Sequence, residues 1–201
     1  MTLYDDIIIG SGFGGLACAH LLAQAGHHVL VLEQHRQPGG GLQSYRRKGL
    51  VFDTGFHYVG GLDPGQPLHD IFGRLGLLSL PWQRLDTDGF DRIVIDGRTF
   101  CLANGFDRFT DRLAADFPHQ RKALERYADL LQGPDPDLQV SAWQWLTANF
   151  TDPLLIDVLS GSCLKTELRR ESLPLVAFLH SQKSFIQSSW RLRGDSSLIV
   201  D

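Results

Sequence analysis

The sequence predicts an α/β fold: a βαβ unit at the N-terminus, followed by a partial second region that is mostly helical. Three observations predict it. Residues 5–20, DDIIIGSGFGGLACAH, set a β-branched run directly before a cluster of glycines and a helical apolar period directly after it. Residues 28–33, HVLVLE, are nearly continuous in Val and Leu, as a parallel strand covered on both faces is. From about residue 106 the apolar residues recur at helical spacing, with Leu124, Tyr127, Ala128 and Leu131 on one face.

The elements follow in order. Residues 5–9 read as a buried strand and Gly10–Gly15 as a tight turn. Residues 14–25 read as a helix with Leu16, Ala19, Leu22 and Ala23 inward, and Gly26 stops it. Residues 28–33 are the second strand, which completes a βαβ unit. Residues 35–62 are glycine-rich, with short strand-like pieces. Asp96-Gly97 sits between two alternating runs, a hairpin signal. Residues 133–138, GPDPDL, break the helical half. Thr151-Asp152-Pro153 and Ser172-Leu173-Pro174 read as helix starts with proline in the first turn.

Composition narrows the function classes. The chain has 201 residues, 43% hydrophobic and 21% charged, with net charge −4, which argues against a nucleic-acid partner. Its longest basic run, Arg46-Arg47-Lys48, reads as a solvated edge. Cys18, Cys101 and Cys163 form no CxxC pair, so reduced thiols in a cytoplasmic setting are expected, with Cys18 a small core residue of the first helix. No secretory signal is visible, and the apolar stretch 173–179 is too short to span a bilayer. Peripheral membrane contact stays open. The eight histidines show no ligand spacing, so no metal site is expected. The Arg-Gly-Asp tripeptide at 193–195 is read as chance.

Gly10, Gly12 and Gly15 satisfy G-x-G-x-x-G, and the context makes the match specific: a strand precedes it, a helix follows, and Glu33 closes the next strand eighteen residues after Gly15. This is the fingerprint of a Rossmann-like dinucleotide site. Gly10 allows the turn, Gly12 lets backbone approach a pyrophosphate, and Gly15 permits close helix–strand packing. The helix N-terminus offers free N–H groups to the anion. Glu33 suits ribose hydroxyls and repels a 2′-phosphate.

The next segment separates the cofactors. Pro38-Gly39-Gly40 cannot continue a helix, so the chain runs on as extended backbone instead of the helix usual in NAD dehydrogenases. LEQHRQPGGGLQSYRRKGLVFDTGFHYVGG resembles the extended flavin signature of amine oxidases and phytoene desaturases. PGGGLQSYRRKGLVFDTGFHYVGGL further resembles the retinol saturase branch of the carotenoid desaturase and isomerase family, which is related to phytoene dehydrogenases. DRIVIDGRTFCLANG and LAADFPHQRKALERYADLL are similar to that family's next elements. One departure is Gly41, where desaturase relatives often carry arginine; it favours the saturase-like branch.

The resemblance implies an FAD-dependent oxidoreductase that moves hydride to or from an apolar polyene of the retinoid or carotenoid kind. It implies that Gly10, Ser11, Gly12, Gly14 and Gly15 face the pyrophosphate. Glu33 and Gln34 would lie at the adenosine ribose. Gly40, Gly41, Leu42 and Gln43 would run toward the flavin. His57 and Tyr58 are the titratable residues best placed to approach the flavin, with His57 the one candidate for chemistry; its alternative role is to pack under the cofactor and hydrogen-bond only the backbone. Residues 1–103 would be the FAD-binding portion and 104–201 a truncated, mainly helical substrate or cap portion. Relatives continue well past the residues that match LRGDSSLIVD, so the chain is expected to be an N-terminal fragment or half of a split enzyme. Alone, it is expected to bind FAD weakly and to be poorly soluble or oligomeric. The missing C-terminal half is a candidate partner. Two rivals remain: a non-catalytic remnant that binds a nucleotide or partner chain, and an amine oxidase-like flavoenzyme.

Overall fold

Three isoleucines favour extended backbone, and Gly10, at φ +96°, turns the chain sharply out of it. The computed structural model describes residues 3–137, 139–162, 166–167, 169 and 171–201. The first strand, β1 (Asp6–Ile9), leads into helix α1 (Phe13–Gln24) and strand β2 (Val29–Leu32). β1 and β2 pair in parallel, with Ile7 opposite Leu30 and Ile9 opposite Leu32. The βαβ unit is thus present within a residue or two of its expected bounds.

A short 3-10 turn over Gly40–Leu42 precedes the antiparallel hairpin β3 (Ser44–Arg47) and β4 (Leu50–Asp53). Then come β5 (Val59–Gly60), α2 (Pro67–Arg74) and β6 (Trp82–Arg84). A second hairpin pairs β7 (Asp91–Ile95) with β8 (Arg98–Leu102). Its two turn residues are the expected ones, Asp96 at φ +49° and Gly97 at φ +75°, the left-handed pair that matches strand twist. Among the described residues five α-helices follow: α3 (Phe106–Asp116), α4 (Arg121–Gln132), α5 (Ala142–Asn149), α6 (Pro153–Ser160) and α7 (Leu175–Gln187). Strand β9 (Ser189–Leu192) comes last and pairs with β5.

Local chemistry sets several helix ends. Ser141 and Gln144 form a reciprocal capping box at α5. Asp152 caps α6 by accepting from Leu154 and Leu155 N–H at 2.9 and 3.2 Å, with Pro153 in the first turn as expected. At α7 the proline stands one place earlier than expected: Pro174 is the capping residue itself.

The chain divides into two discontinuous units, residues 1–58, 67–83 and 191–201 in one and 59–66 and 84–190 in the other. This replaces a single boundary near residue 103. The reason is packing: β8 lies against α3, which ties the second hairpin to the helices that follow it. The second unit holds the deeper core. Phe109, Leu113, Leu124, Tyr127, Leu131, Leu146 and Phe178 are nearly or wholly inaccessible, including all but one of the residues predicted to share the α4 face, and that one, Ala128, is buried too.

The first unit corrects two expectations. Strand 5–9 is not buried: Ile7 is 62% and Ile9 88% exposed. Helix α1 covers one face of β1, where Gly15 sits over Ile8, while Ile7, Ile9, Leu30 and Leu32 share the other face. Among the described residues β1 and β2 form a two-stranded sheet, and on that face Ile7, Ile9 and Leu32 stay exposed while Leu30 is partly covered. Cys18 is exposed rather than part of a core, because α1 has no buried residue. Cys163 lies outside the described residues. Ile9→Thr is therefore expected to change stability by less than about 0.5 kcal/mol, as surface substitutions do; an unfolding midpoint that matches the parent's checks it. Two of the tryptophans pack locally, each tilted against an aromatic neighbour: Trp82 against Phe72 at 5.5 Å and Trp145 against Tyr127 at 5.6 Å.

Candidate functional site

The three fingerprint glycines have separable backbone roles. Gly10 takes the left-handed conformation, and its N–H donates to Leu32 O at 2.7 Å, which fastens the turn to the end of β2. Around Gly12 and Gly14 a side-chain carbon would meet nothing within 4 Å, so both border open space. At Gly15 the same carbon would sit 2.1 Å from Gly10 O, where helix and turn touch. Gly12 caps α1 with no side-chain partner, and the first turn of the helix has no acidic residue. Its amides and the positive end of the helix dipole are free to meet an anion.

Glu33 locks this turn. Ser11 N–H and Ser11 Oγ donate to its Oε2 at 2.8 and 2.6 Å, and His35 N–H donates to its Oε1 at 2.8 Å. The Ser11 hydroxyl, then the His35 and Ser11 amides, lower the Glu33 carboxyl to about 2. A carboxyl held low stabilises the fold above its unfolded value near 4.5, and that contribution fades as pH falls from there toward 2. Glu33→Gln is therefore expected to flatten the loss of stability between about pH 4.5 and pH 2; identical acid-unfolding curves for variant and parent would refute the link.

A second glycine turn docks on the first. Gly39 N–H donates to Ser11 O at 2.9 Å, and Gly40 approaches so closely that a side-chain carbon there would lie 3.1 Å from Gly12 Cα. Gly41 again borders open space. Two stretches of bare backbone thus meet beside a helix N-terminus, with one carboxylate behind them.

The remaining expected site residues are placed as follows. Ser11, expected to face the pyrophosphate, is 2% exposed, and its hydroxyl braces Glu33 instead of opening outward. Leu42 is buried, and Gln34 is exposed. Gln43 donates through Nε2 to Gln37 O at 2.6 Å, and its carbonyl accepts from Thr54 Oγ1 at 2.8 Å. His57 is exposed on the segment after β4.

Sequence reading missed one clamp. Ser196, 1% exposed, donates from N–H and Oγ to Asp53 Oδ1, both at 2.7 Å, and its Oγ also reaches Leu42 O at 2.8 Å. Val200 then packs on Gly39. The Asp195-Ser196-Ser197 run carries a readable capping signal, and Asp195 does cap the 196–199 turn by accepting from Ser197 N–H at 3.0 Å. Nothing local announces that Ser196 holds the second glycine turn.

Comparison with known proteins bears on the fold. The family described as an NAD(P)-binding Rossmann-like domain matches residues 8–75. The all-trans-retinol 13,14-reductase of Danio rerio is 39% identical over 130 residues, covering 63% of this chain and 21% of that protein. The Homo sapiens protein of the same name is 36% identical over 132 residues, 64% of this chain and 22% of that protein. The prolycopene isomerase of Arabidopsis thaliana is 36% identical over 134 residues, 61% and 21%. The chain spans about a fifth of the length of these relatives. Among solved structures, a Pyrococcus furiosus protein aligns with TM-score 0.72 at 21% identity, over 98% of this chain and 47% of that one. Cyclohexylamine oxidase from Brevibacterium oxydans aligns with TM-score 0.62 at 20% identity, over 98% and 48%. The fold is Rossmann-like α/β.

Proposed function

We propose, from the premise that this chain aligns over about three fifths of its length with all-trans-retinol 13,14-reductases and prolycopene isomerases, that it binds FAD and serves an oxidoreductase reaction on an apolar polyene. The observation that carries the reading is the paired glycine turns, Gly10–Gly15 and Gly39–Gly41, joined through Ser11 to Glu33. Open space at Gly12, Gly14 and Gly41 fits a long dinucleotide that needs backbone contact at more than one place along its length.

In this reading the amides from Gly12 to Gly15 hold the pyrophosphate, and α1 supplies the favourable dipole. Glu33 and Gln34 hold the adenosine ribose. The Glu33 carboxylate, kept ionised by Ser11 and His35, disfavours a 2′-phosphate. Gly40 to Gln43 line the path toward the flavin. FAD, when bound, supplies hydride transfer to or from the polyene. His57 is the residue assigned to hold or move a proton beside it, and the retained flavin spectrum and turnover of His57→Gln would remove that role.

The test is titration of the chain with FAD, NAD and NADP, read by flavin fluorescence and by tryptophan quenching. Saturable FAD binding, weak as expected of this chain alone, that Gly12→Val removes with the circular dichroism spectrum unchanged supports the reading. Preference for NADP, or no saturable FAD binding, overturns it.

A further inference from the structure

The β3–β4 hairpin has an anchored base and a free tip, and the two ends differ in chemistry. At the base, Ser196 holds Asp53, and Ser44 Oγ donates to Asp195 at 3.2 Å. Both acids of this region are therefore engaged at the base. At the tip stand Arg47 and Lys48, with Arg46 one rung inward, each exposed; the Arg46 charge also acts on Asp195 at the base. On a chain of net charge −4 this is a concentrated reversal of sign.

Apolar side chains share the tip. Tyr45 and Phe52 face each other across the ladder and stack with ring centroids 5.3 Å apart. The register puts Leu50, 63% exposed, on the same face, opposite Arg47. Val51 is exposed on the other face beside Arg46. An amphipathic ribbon with aromatic rings, an exposed leucine and three cations meets the needs of a lipid–water interface. Rings sit at headgroup depth, leucine enters the acyl boundary, and cations pair with anionic headgroups.

A covering protein surface fits less well, because it would have to desolvate three cations. The contrast within the same unit is the face of β1 and β2 where the exposed Ile7, Ile9 and Leu32 carry no charge and suit protein cover. No helix among the described residues is long and apolar enough to cross a membrane, so contact through the hairpin is peripheral.

We infer that the tip of the β3–β4 hairpin docks on anionic phospholipid bilayers through Arg46, Arg47, Lys48, Leu50 and the Tyr45–Phe52 stack. This surface is independent of the nucleotide cradle, and it would place the chain where apolar polyenes dissolve.

The test is co-sedimentation of the 201-residue chain with phosphatidylcholine vesicles, with and without phosphatidylserine, at low and high salt. Binding that needs phosphatidylserine and falls with salt is expected. Arg46→Gln/Arg47→Gln/Lys48→Asn is expected to weaken it by on the order of a hundredfold, about fivefold per cation. Asparagine suits the left-handed backbone of Lys48, φ +50°, so the turn is kept. Leu50→Ser is expected to weaken it by roughly tenfold. Ile9→Thr, a control for unspecific apolar adhesion, leaves it unchanged. Equal binding to neutral vesicles, full binding by the triple variant, or loss on Ile9→Thr overturns the assignment. So does retention on heparin without vesicle binding, which would make the tip a general polyanion site. Failure of FAD binding with vesicle binding intact would fall on the proposed function alone.

Discussion

Gly15→Ala is expected to unseat α1 from β1 and to remove the nucleotide binding proposed for this turn together with the local fold. The added carbon would lie 2.1 Å from Gly10 O and 3.3 Å from Gly10 C, and both are backbone atoms that no rotamer change can move. Gly10 is itself fastened to Leu32 O, so relief of the clash must shift the turn, the helix or the pairing at the end of β2. A cost of about 3 kcal/mol, at the upper end of overpacking, is the expected scale. Gly12→Ala is the matched comparison. It adds the same carbon where nothing lies within 4 Å, at an ordinary φ of −67°. It should fold as the parent does. Denaturant unfolding of the two variants distinguishes a packing glycine from a ligand-facing one; equal midpoints would contradict the geometry.

Tyr127→Ala is the second large effect, and it falls in the other unit. The ring is fully inaccessible and sits among four aromatic neighbours: Phe109, Trp145, Phe150 and Phe178, with centroids 6.3, 5.6, 6.0 and 6.4 Å away. These come from α3, α5, the residue after α5, and α7, so one side chain joins three helices to α4. Loss of the ring leaves a cavity that rigid neighbours fill poorly, at about 3–5 kcal/mol. For a chain of this size that is a fall on the order of 10 °C in the melting of this unit. Thermal denaturation followed at the helical signal measures it. A shift of only a degree or two would mean that the helices repack.

Several features were legible in the sequence because their causes are local. A β-branched run ended by glycine makes β1, and an Asp-Gly pair between alternating runs makes the β7–β8 turn. Asp152 before Pro153 starts α6, and the 124, 127, 128, 131 spacing marks the buried face of α4. The glycine fingerprint and Glu33 were readable for the same reason: the turn, the helix start and the acid lie within about thirty residues of chain. Tertiary structure decided the rest. That Ser11 turns inward to Glu33 depends on which way one hydroxyl rotates once β1 and β2 are paired. That Ser196 holds Asp53 and Leu42 depends on residues 143 and 154 positions apart in the chain, beyond the reach of any period or cap. The exposure of Ile7, Ile9 and Cys18 was misjudged because apolar patterning records what an element is able to bury, whereas actual burial depends on which other elements pack against it.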